Sequence, residues 1–284
     1  RFFNITDPSI TYTSVTTLIG KYEPEFDREF VSKYKSLERI LPSDIWKKEK
    51  GGIWKSKKIP KEFLEVYNIS NEELNKVQQE ILDEWDEINR KSCERGTKIH
   101  SQLENSFYNI GSNITLKKFG IGGKFECKKN YNDLDLEYGI YPEYLIYYDN
   151  PKLDLHIAGQ IDLLIKSGND IIIGDHKTNK KIDLKGFYNS STKSSEKLKY
   201  PLTSLDNCNF NVYQLQLSTY AWMLQKINPN FIIKRLFLNH YDHEGNNTIY
   251  EVSYLKDEVE KMLKHFAKQQ KLEKQKAKYA RIEY

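Results

Sequence analysis

The sequence IAGQIDLLIKSGNDIIIGDHKT, residues 157–178, predicts the centre of the fold. Its two apolar runs, residues 161–165 and 171–173, are rich in the β-branched residues that favour strands. Between them, the residues Ser-Gly-Asn-Asp at 167–170 are typical of a tight turn. The stretch therefore predicts a β-hairpin, and the other elements are considered outward from it.

Charged side chains stand near the ends of this predicted hairpin. Asp162 lies in its first strand, and Asp175 and Lys177 close the second. Because side chains alternate along a strand, Asp175 and Lys177 project from one face and His176 from the other. Two acids beside an ammonium group suit a divalent cation that takes oxygen ligands. The same residue types also occur on solvated hairpin rims, so support is needed from elsewhere in the chain.

Length and composition limit the class of protein. A chain of 284 residues can bury a full core, and one large domain with an appended lobe is expected. The formal charge is +4, from 44 basic and 40 acidic residues, so any nucleic-acid surface must come from local clustering. No apolar run approaches the roughly 18–20 residues of a membrane span, and no membrane partner is expected.

The cysteines and the first residues bear on cofactors and location. Cys93, Cys127 and Cys208 are widely spaced without a C-x-x-C pair, which argues against a zinc site and a disulfide framework. A reducing compartment fits best, and a cytoplasmic location is expected, in a bacterium or a phage-infected host. The chain opens at Arg1 with no visible signal peptide, so the mitochondrial matrix is the alternative if a leading segment was removed.

The first 60 residues contain a candidate DNA-binding region. Residues 10–19 fit a strand or the capped start of a helix, and the pattern leaves both open, whereas residues 24–40 have helical apolar spacing. Residues 42–60 look irregular and interleave tryptophans with lysines, as single-stranded nucleic-acid grooves do. The alternative is an exposed basic loop whose tryptophans pack against the core. The candidate DNA-binding residues are Trp46, Lys47, Lys48, Trp54, Lys55, Lys57 and Lys58.

Further acids and a histidine precede the hairpin. A helix is predicted from about residue 70 to 108, with His100 and Glu104 four residues apart on one face. A strand follows at 138–148, in which Glu143 comes after Pro142. Glu143 is then either an edge-strand charge that deters aggregation or a further ligand for metal or water. His100 and Glu104 matter for function only if their face meets the acids of the hairpin.

After the hairpin the chain returns to regular elements. Residues 180–209 are a polar insertion, which we interpret as a loop over one face. A strong helix at 213–226, strands at 231–241 and 248–254, and a lysine-rich helix from about 256 complete the chain. The predicted domains are an N-terminal lobe over residues 1–80, with a DNA-binding role, and a core over residues 81–284.

Five short motifs in this order resemble the PD-(D/E)XK nuclease superfamily, and within it the RecB-type exonuclease branch. The motifs are GTKIHSQLE (96–104), PE (142–143), GQID (159–162), GDHKT (174–178) and YQLQLSTY (213–220). The N-terminal SVTTLIG and the long insertion are similar to phage and mitochondrial-genome-maintenance exonucleases. The resemblance implies an α/β restriction-endonuclease-like core, a mixed central sheet flanked by helices in the order αβββαβ, with a mainly helical N-terminal lobe.

The resemblance also implies roles for individual residues. Mg²⁺ or Mn²⁺ would be bound by Asp162 and Asp175, with His100 and the backbone carbonyl of His176 as further ligands. Lys177 would orient or help to deprotonate the attacking water and offset charge in the transition state. Waters or a second cation would be held by Glu143 and Glu104, and the lysine or a substrate phosphate would be braced by Gln216 and Tyr220.

The function expected from these residues is metal-dependent DNA exonuclease activity. It would act on single-stranded or free DNA ends in replication, recombination or repair, with a helicase or polymerase as a conceivable partner. A structure-specific or restriction-type endonuclease and an inactive nucleic-acid-binding scaffold are the alternatives. Iron–sulfur members of the branch use four cysteines, so no cluster is expected here. His176 departs from the usual apolar residue and is expected to pack in the core.

Overall fold

In a computed structural model of the chain, residues 2–3, 7, 10–109, 116–128, 136–189 and 193–280 are described. The chain divides into two compact units, one of Glu25–Arg95 and one of Arg1–Pro24 with Gly96–Tyr284. The sequence placed its boundary between residues 80 and 81, whereas the structure groups the first 24 residues with the larger unit, because a strand among them pairs into the central sheet. No helix of the described residues is long and apolar enough to cross a membrane.

The larger unit is built on a mixed sheet, seven-stranded within the described residues. Its strands lie side by side in the order β1-β2-β4-β5-β8-β9, and β3 pairs with β4. The pairs β2–β4 and β5–β8 are parallel, and the other pairs are antiparallel. The strands are β1 Phe2–Phe3, β2 Thr11–Ser14, β3 Gly139–Asn150, β4 Leu155–Ser167, β5 Asp170–Lys177, β8 Ile232–Tyr241 and β9 Asn247–Val252.

Helices flank this sheet and confirm the predicted fold class. The elements α5, β3, β4, β5, α6 and β8 reproduce the expected αβββαβ order. Helix α6 buries side chains on several sides, from Gln214 to Leu224, as its apolar content predicted. The helices of the larger unit are α1 Val15–Gly20, the later part of α5 Asn71–Asn109, α6 Asn209–Ile227 and α7 Lys256–Ala280.

Residues 10–20 contain both of the elements that the sequence left open. Strand β2 ends at Ser14, and α1 begins at the next residue. The hydroxyl oxygen of Ser14 accepts a hydrogen bond from the backbone N–H of Thr17 at 3.1 Å, which is the normal N-cap interaction. Ser14 is therefore both the last residue of the strand and the N-cap of the helix.

The predicted hairpin is confirmed and is longer than the apolar runs indicated. Strands β4 and β5 pair antiparallel, and the pairing extends to Ser167 and Asp170 at the turn. Ile161, Ile171 and Ile173 are fully buried, which explains their β-branched side chains.

The insertion forms a small two-stranded sheet, β6 Tyr188–Asn189 and β7 Ser194–Ser195. Its residues 190–192 lie outside the described residues. Leu198 and Leu202 are fully buried in the main core, so the later part of the insertion is packed rather than laid over a face.

The smaller unit is helical, as expected for the N-terminal lobe. It contains α2 Arg28–Ile40, α3 Ser43–Ser56, α4 Lys61–Val66 and the first part of α5. The interpretation of residues 42–60 as irregular was wrong. Helix α3 forms despite Gly51 and Gly52 because Trp46 and Ile53, two turns apart, bury one face against the unit's core. Gly51 and Gly52 are exposed, so their only effect is to lower the intrinsic helix propensity of α3.

Candidate active site

A histidine and two acids from three elements converge at one edge of the sheet. His100 comes from α5, Glu143 from β3 and Asp162 from β4. The His100 Nδ1 atom lies 3.5 Å from Asp162 Oδ2 and 3.8 Å from Glu143 Oε1. Their candidate ligand atoms all lie within 4.8 Å of one another. One imidazole and two carboxylates at this spacing are a donor set that can hold a divalent cation.

The ring of His100 is oriented by the backbone of β5. Its Nε2 atom lies 3.0 Å from the carbonyl oxygen of His176. Because a carbonyl can only accept, Nε2 carries the hydrogen and Nδ1 faces the acids, an assignment made from the geometry. The neighbouring Glu143 carboxylate, and next the charge of Asp162, raise the pKa of His100, although burial opposes this. Positive charge on Nδ1, as a proton or a cation, therefore offsets the carboxylates.

Asp162 is a buried acid at the centre of this group. Its side chain is 11% exposed, and its Oδ2 atom accepts a hydrogen bond from the backbone N–H of His176 at 2.7 Å. Burial, and next the charge of Asp175, raise the pKa of Asp162 from 3.8 to about 7. Such a carboxylate is costly when ionised alone, and a bound cation would relieve that cost.

A second set of residues holds Lys177 beside Asp175. The Lys177 Nζ atom lies 2.6 Å from Asp175 Oδ2 and donates to Gln216 Oε1 at 3.3 Å. The Gln216 Nε2 group donates to Asp175 Oδ1 at 3.3 Å and lies 3.4 Å from the Tyr220 hydroxyl. Burial acts to lower the pKa of Lys177, but the Asp175 and Asp162 charges outweigh it and the pKa is raised. Lys177 is therefore held as a charged ammonium group.

The position of Tyr220 depends on a glycine in β4. A Cβ atom at Gly159 would lie 2.5 Å from Tyr220 Cε1 and 2.9 Å from its hydroxyl oxygen. A Cβ atom does not lie this close to other non-bonded atoms, so the residue at 159 has to be glycine for the ring to lie where it does. The GQID motif thus supplies both Asp162 and the space for the tyrosine that contacts Gln216.

Glu143 has an unusual backbone conformation for a strand residue. Its φ is +52°, in the left-handed region, although Pro142 and Tyr144 on either side stay paired with Leu163 and Ile161. In this region a residue with a Cβ atom raises the conformational free energy of the folded chain by about 1–2 kcal/mol. The chain therefore carries local strain at the residue that brings a carboxylate to His100.

An open pocket of about 420 Å³ gives access to His100 and Glu143. Glu104 lines it together with His100 and Glu143, so the predicted helix face does meet this edge of the sheet. Burial, and next the charge of Glu143, raise the pKa of Glu104. The remaining walls are formed by Thr97, Ser101 and Gln160.

The structure arranges the predicted ligands differently from the resemblance. Asp162 and Asp175 were expected to share the cation, but the group with ligand spacing among the described residues joins Asp162 to His100 and Glu143. Asp175 is paired with Lys177 instead, and the His176 carbonyl contacts His100. The cause is the alternation of β5, which directs Asp175 and Lys177 together toward α6.

His176 is buried, as expected, and its partners were not predicted. The ring contacts Phe119, and its Nδ1 atom lies 2.9 Å from Asn239 Nδ2. Burial, and next the charges of His100 and Lys177, lower the pKa of His176 to about 3, so it stays neutral. Nothing in the pattern of β8 distinguished Asn239. Tyr213, whose ring centre lies 4.4 Å from Lys177 Nζ, could have been found from its place in the YQLQLSTY motif.

The candidate DNA-binding residues belong to the smaller unit. Trp46 is 5% exposed, packs on Tyr34 with ring centres 4.6 Å apart, and donates from Nε1 to Glu38 at 3.2 Å. It is a core residue in this structure, as the alternative interpretation held. Trp54 is 38% exposed, and Lys57 Nζ lies 3.4 Å from its ring centre. Lys47, Lys48, Lys55 and Lys58 are exposed.

Comparisons with known proteins add little to these observations. A scan of protein-family models and a search of curated proteins found no match. Among solved structures the chain is similar to SSO0001, at 14% identity and a TM-score of 0.32, over 62% of this chain and 58% of that one. It is also similar to a Eubacterium rectale protein described as a "Putative exonuclease", at 12% identity and a TM-score of 0.33, over 90% and 77% of the two chains. The chain thus spans 58% of the length of SSO0001, and likenesses this weak carry no argument here.

Proposed function

We propose that the chain is a divalent-cation-dependent deoxyribonuclease, an exonuclease that hydrolyses phosphodiester bonds from single-stranded DNA ends. Its place would be in DNA replication, recombination or repair. The observation that carries the proposal is the meeting of two groups of charged side chains, from helix α5 and the strands β3, β4 and β5. His100, Glu143 and Asp162 have metal-ligand spacing, and the ion pair of Asp175 and Lys177 lies beside them.

The donor set fits Mg²⁺ or Mn²⁺. Two carboxylates and one imidazole are ligands that these cations accept, and thiolates are absent from the described site. The raised pKa of Asp162 supports the same conclusion, because a buried acid close to other acids needs a compensating positive charge. His100, Glu143 and Asp162 would hold the cation, which supplies Lewis-acid chemistry when bound, offsetting negative charge on a phosphate oxygen.

Lys177 has the properties of a group that positions and neutralises. Its raised pKa keeps it protonated near neutral pH, so it acts as a donor rather than as a base. An ammonium group has three N–H bonds, and contacts with Asp175 and Gln216 use two of them. The third can bind the attacking water or a phosphate oxygen, where the positive charge stabilises the developing negative charge. Asp175 and Gln216 position this group, and Tyr220 buttresses Gln216.

The test is a nuclease assay with Mg²⁺ or Mn²⁺ on end-labelled linear single strands and covalently closed circles. We expect the linear strand to be degraded and the circle to stay intact. Lys177→Ala should lower the rate by about a hundredfold or more, the cost of removing one electrostatic donor in other enzymes. Lys234→Ala is the matched control, because Lys234 lies in β8 of the same sheet and its side chain is 51% exposed. Its rate should stay unchanged.

The other outcomes separate the alternatives. Cutting of the closed circle would place the protein among endonucleases that use the same residues. Binding of both DNAs without cutting, in either cation, would support the inactive scaffold. Full activity of Lys177→Ala would remove the lysine from the proposed chemistry.

A further inference from the structure

A second cavity, separate from the open pocket of His100, lies in the larger unit at the start of α6. Its volume is about 690 Å³, within the usual range of small-ligand sites. Residues 181–187 of the insertion form one wall, and the first turn of α6 forms another. Side chains on its walls include Glu23, Lys181, Asp183, Lys185, Phe187 and Tyr213.

One side chain connects this cavity with the proposed catalytic lysine. Tyr213 lines the cavity, and the centre of its ring lies 4.4 Å from Lys177 Nζ. Tyr213 is four residues after Asn209, the first residue of α6, and both residues line the cavity. A substrate with its phosphate at Lys177 would have its neighbouring atoms within reach of this space.

The walls are fixed by hydrogen bonds rather than by loose packing. Asn209 Oδ1 accepts from the backbone N–H of Asp183 at 2.7 Å, and its Nδ2 donates to the carbonyl of Lys181 at 2.9 Å. At Gly186 a Cβ atom would lie 2.3 Å from the carbonyl oxygen of Glu196, so the wall closes tightly there. The cavity is therefore preformed, which lowers the entropic cost of filling it.

The charges of the cavity indicate what it accepts. Its two lysines are balanced by two acids, and Lys181 Nζ lies 2.6 Å from Asp183 Oδ1. A phosphate site would need an excess of positive charge. An aromatic ring is available instead, because Phe187 lines the cavity and is 69% exposed. A balanced polar cavity with an accessible ring suits a planar, uncharged group with hydrogen-bonding edges, and a nucleobase is such a group.

We propose that this cavity receives the base of the nucleotide next to the scissile phosphate, with Phe187 stacking on it. The proposal rests on the proposed nuclease function and names a substrate subsite for it. A strand whose bases are paired cannot place one in the cavity, so the subsite favours single-stranded ends. Phe187 is a binding residue, and the chemistry stays with the residues around Lys177.

The test measures binding with the divalent cations removed by EDTA, so that cleavage is not needed. The probes are a single-stranded oligonucleotide with 2-aminopurine as its end base and the same strand with an abasic end, each made with the modified end 5′ or 3′. Stacking on one aromatic ring is worth about tenfold in affinity. For one of the two ends, we expect the abasic probe to bind about tenfold more weakly and the 2-aminopurine fluorescence to be quenched.

Phe187→Ala should abolish both effects, and the exposure of the ring means that folding is unaffected. Tyr188→Ala is the matched control, since Tyr188 is 59% exposed, adjacent in sequence and absent from the cavity walls. Equal binding of normal and abasic probes at both ends, no binding at all, or the same loss in Tyr188→Ala would overturn the proposal. If binding depends on the end base and this dependence is lost in Phe187→Ala, but the protein shows no nuclease activity, the subsite is sustained and the proposed function is refuted. If the protein degrades DNA but binds normal and abasic probes equally, the proposed function is sustained and the subsite is refuted.

Discussion

Replacing Asp162 by asparagine should stabilise the metal-free protein at pH 8. The side chain is 11% exposed, and burial together with the Asp175 charge raises its pKa from 3.8 to about 7. Asparagine keeps an oxygen that can accept from the backbone N–H of His176, so the change removes charge and retains the hydrogen bond. The substitution therefore removes the free-energy cost of holding a charged carboxylate at this buried position.

The sign and size of this change in the free energy of unfolding follow from the pKa values of Asp162 in the unfolded and folded chain. A raised folded-state pKa means that the folded chain binds the proton more tightly than the unfolded chain does. The stability contributed by protonated Asp162 is therefore full below pH 3.8 and is lost as the pH rises through about 7. At about 1.4 kcal/mol for each pKa unit, the loss is at most about 4 kcal/mol. We expect asparagine to recover about 2–4 kcal/mol at pH 8 and little below pH 4.

The assay is thermal unfolding in EDTA at several pH values between 4 and 8. For a unit of this size a gain of 1 kcal/mol raises the melting temperature by about 2–4 °C, so an increase of roughly 5 °C or more is expected at pH 8. Glu126→Gln is the control, since that acid side chain is 85% exposed. Adding Mn²⁺ should raise the melting temperature of the natural chain and leave Asp162→Asn nearly unchanged. If Asp162→Asn melts below the natural chain at pH 8 in EDTA, the reasoning about the buried carboxylate is refuted.

Substitutions at three further positions test other parts of the structure. Because φ at Glu143 is +52°, the variant Glu143→Gly should be more stable than Glu143→Ala by about 1–2 kcal/mol in urea unfolding. A more stable alanine variant, which is normal in a strand, would contradict the positive φ. Gly159→Ala should cost about 1–3 kcal/mol, because its Cβ would lie 2.5 Å from Tyr220, and an unchanged melting temperature would show that the ring lies elsewhere. Trp46→Ala should destabilise the smaller unit by about 3–5 kcal/mol, measured by calorimetry, whereas a surface base-stacking residue would lose DNA affinity at constant stability.

The main fold was predictable because its elements have strong local signals. The β-branched runs of the hairpin and the apolar spacing of α6 agree with the burial that the structure gives them. Helix α3 was missed because its lysines and two glycines hide a narrow buried face of two residues, Trp46 and Ile53. Local composition cannot report a face that only tertiary packing makes important.

The sequence draws attention to the candidate site residues, but the way the structure pairs them could not be predicted from it. Strand alternation places Asp175 and Lys177 on one face, and that much follows from the sequence. Whether Asp162 is joined by Asp175 or by Glu143 depends on the backbone at Glu143, and no pattern in the sequence signals a positive φ at a residue that follows proline. The division into a candidate metal-ligand group and an ion pair is therefore a property of the three-dimensional structure.

Three features around the proposed reaction centre carry a cost in stability. Glu143 has a strained backbone, Asp162 is a buried acid with a raised pKa, and Lys177 needs the Asp175 charge to remain protonated while buried. None of these features helps the chain to fold, because uncharged or glycine replacements would relieve the first two. The buried Asp162 carboxylate becomes favourable once positive charge is placed between His100, Glu143 and Asp162. The same arrangement that makes the metal-free fold less stable is therefore what would give a cation its binding energy, and this links the stability prediction for Asp162 to the proposed function.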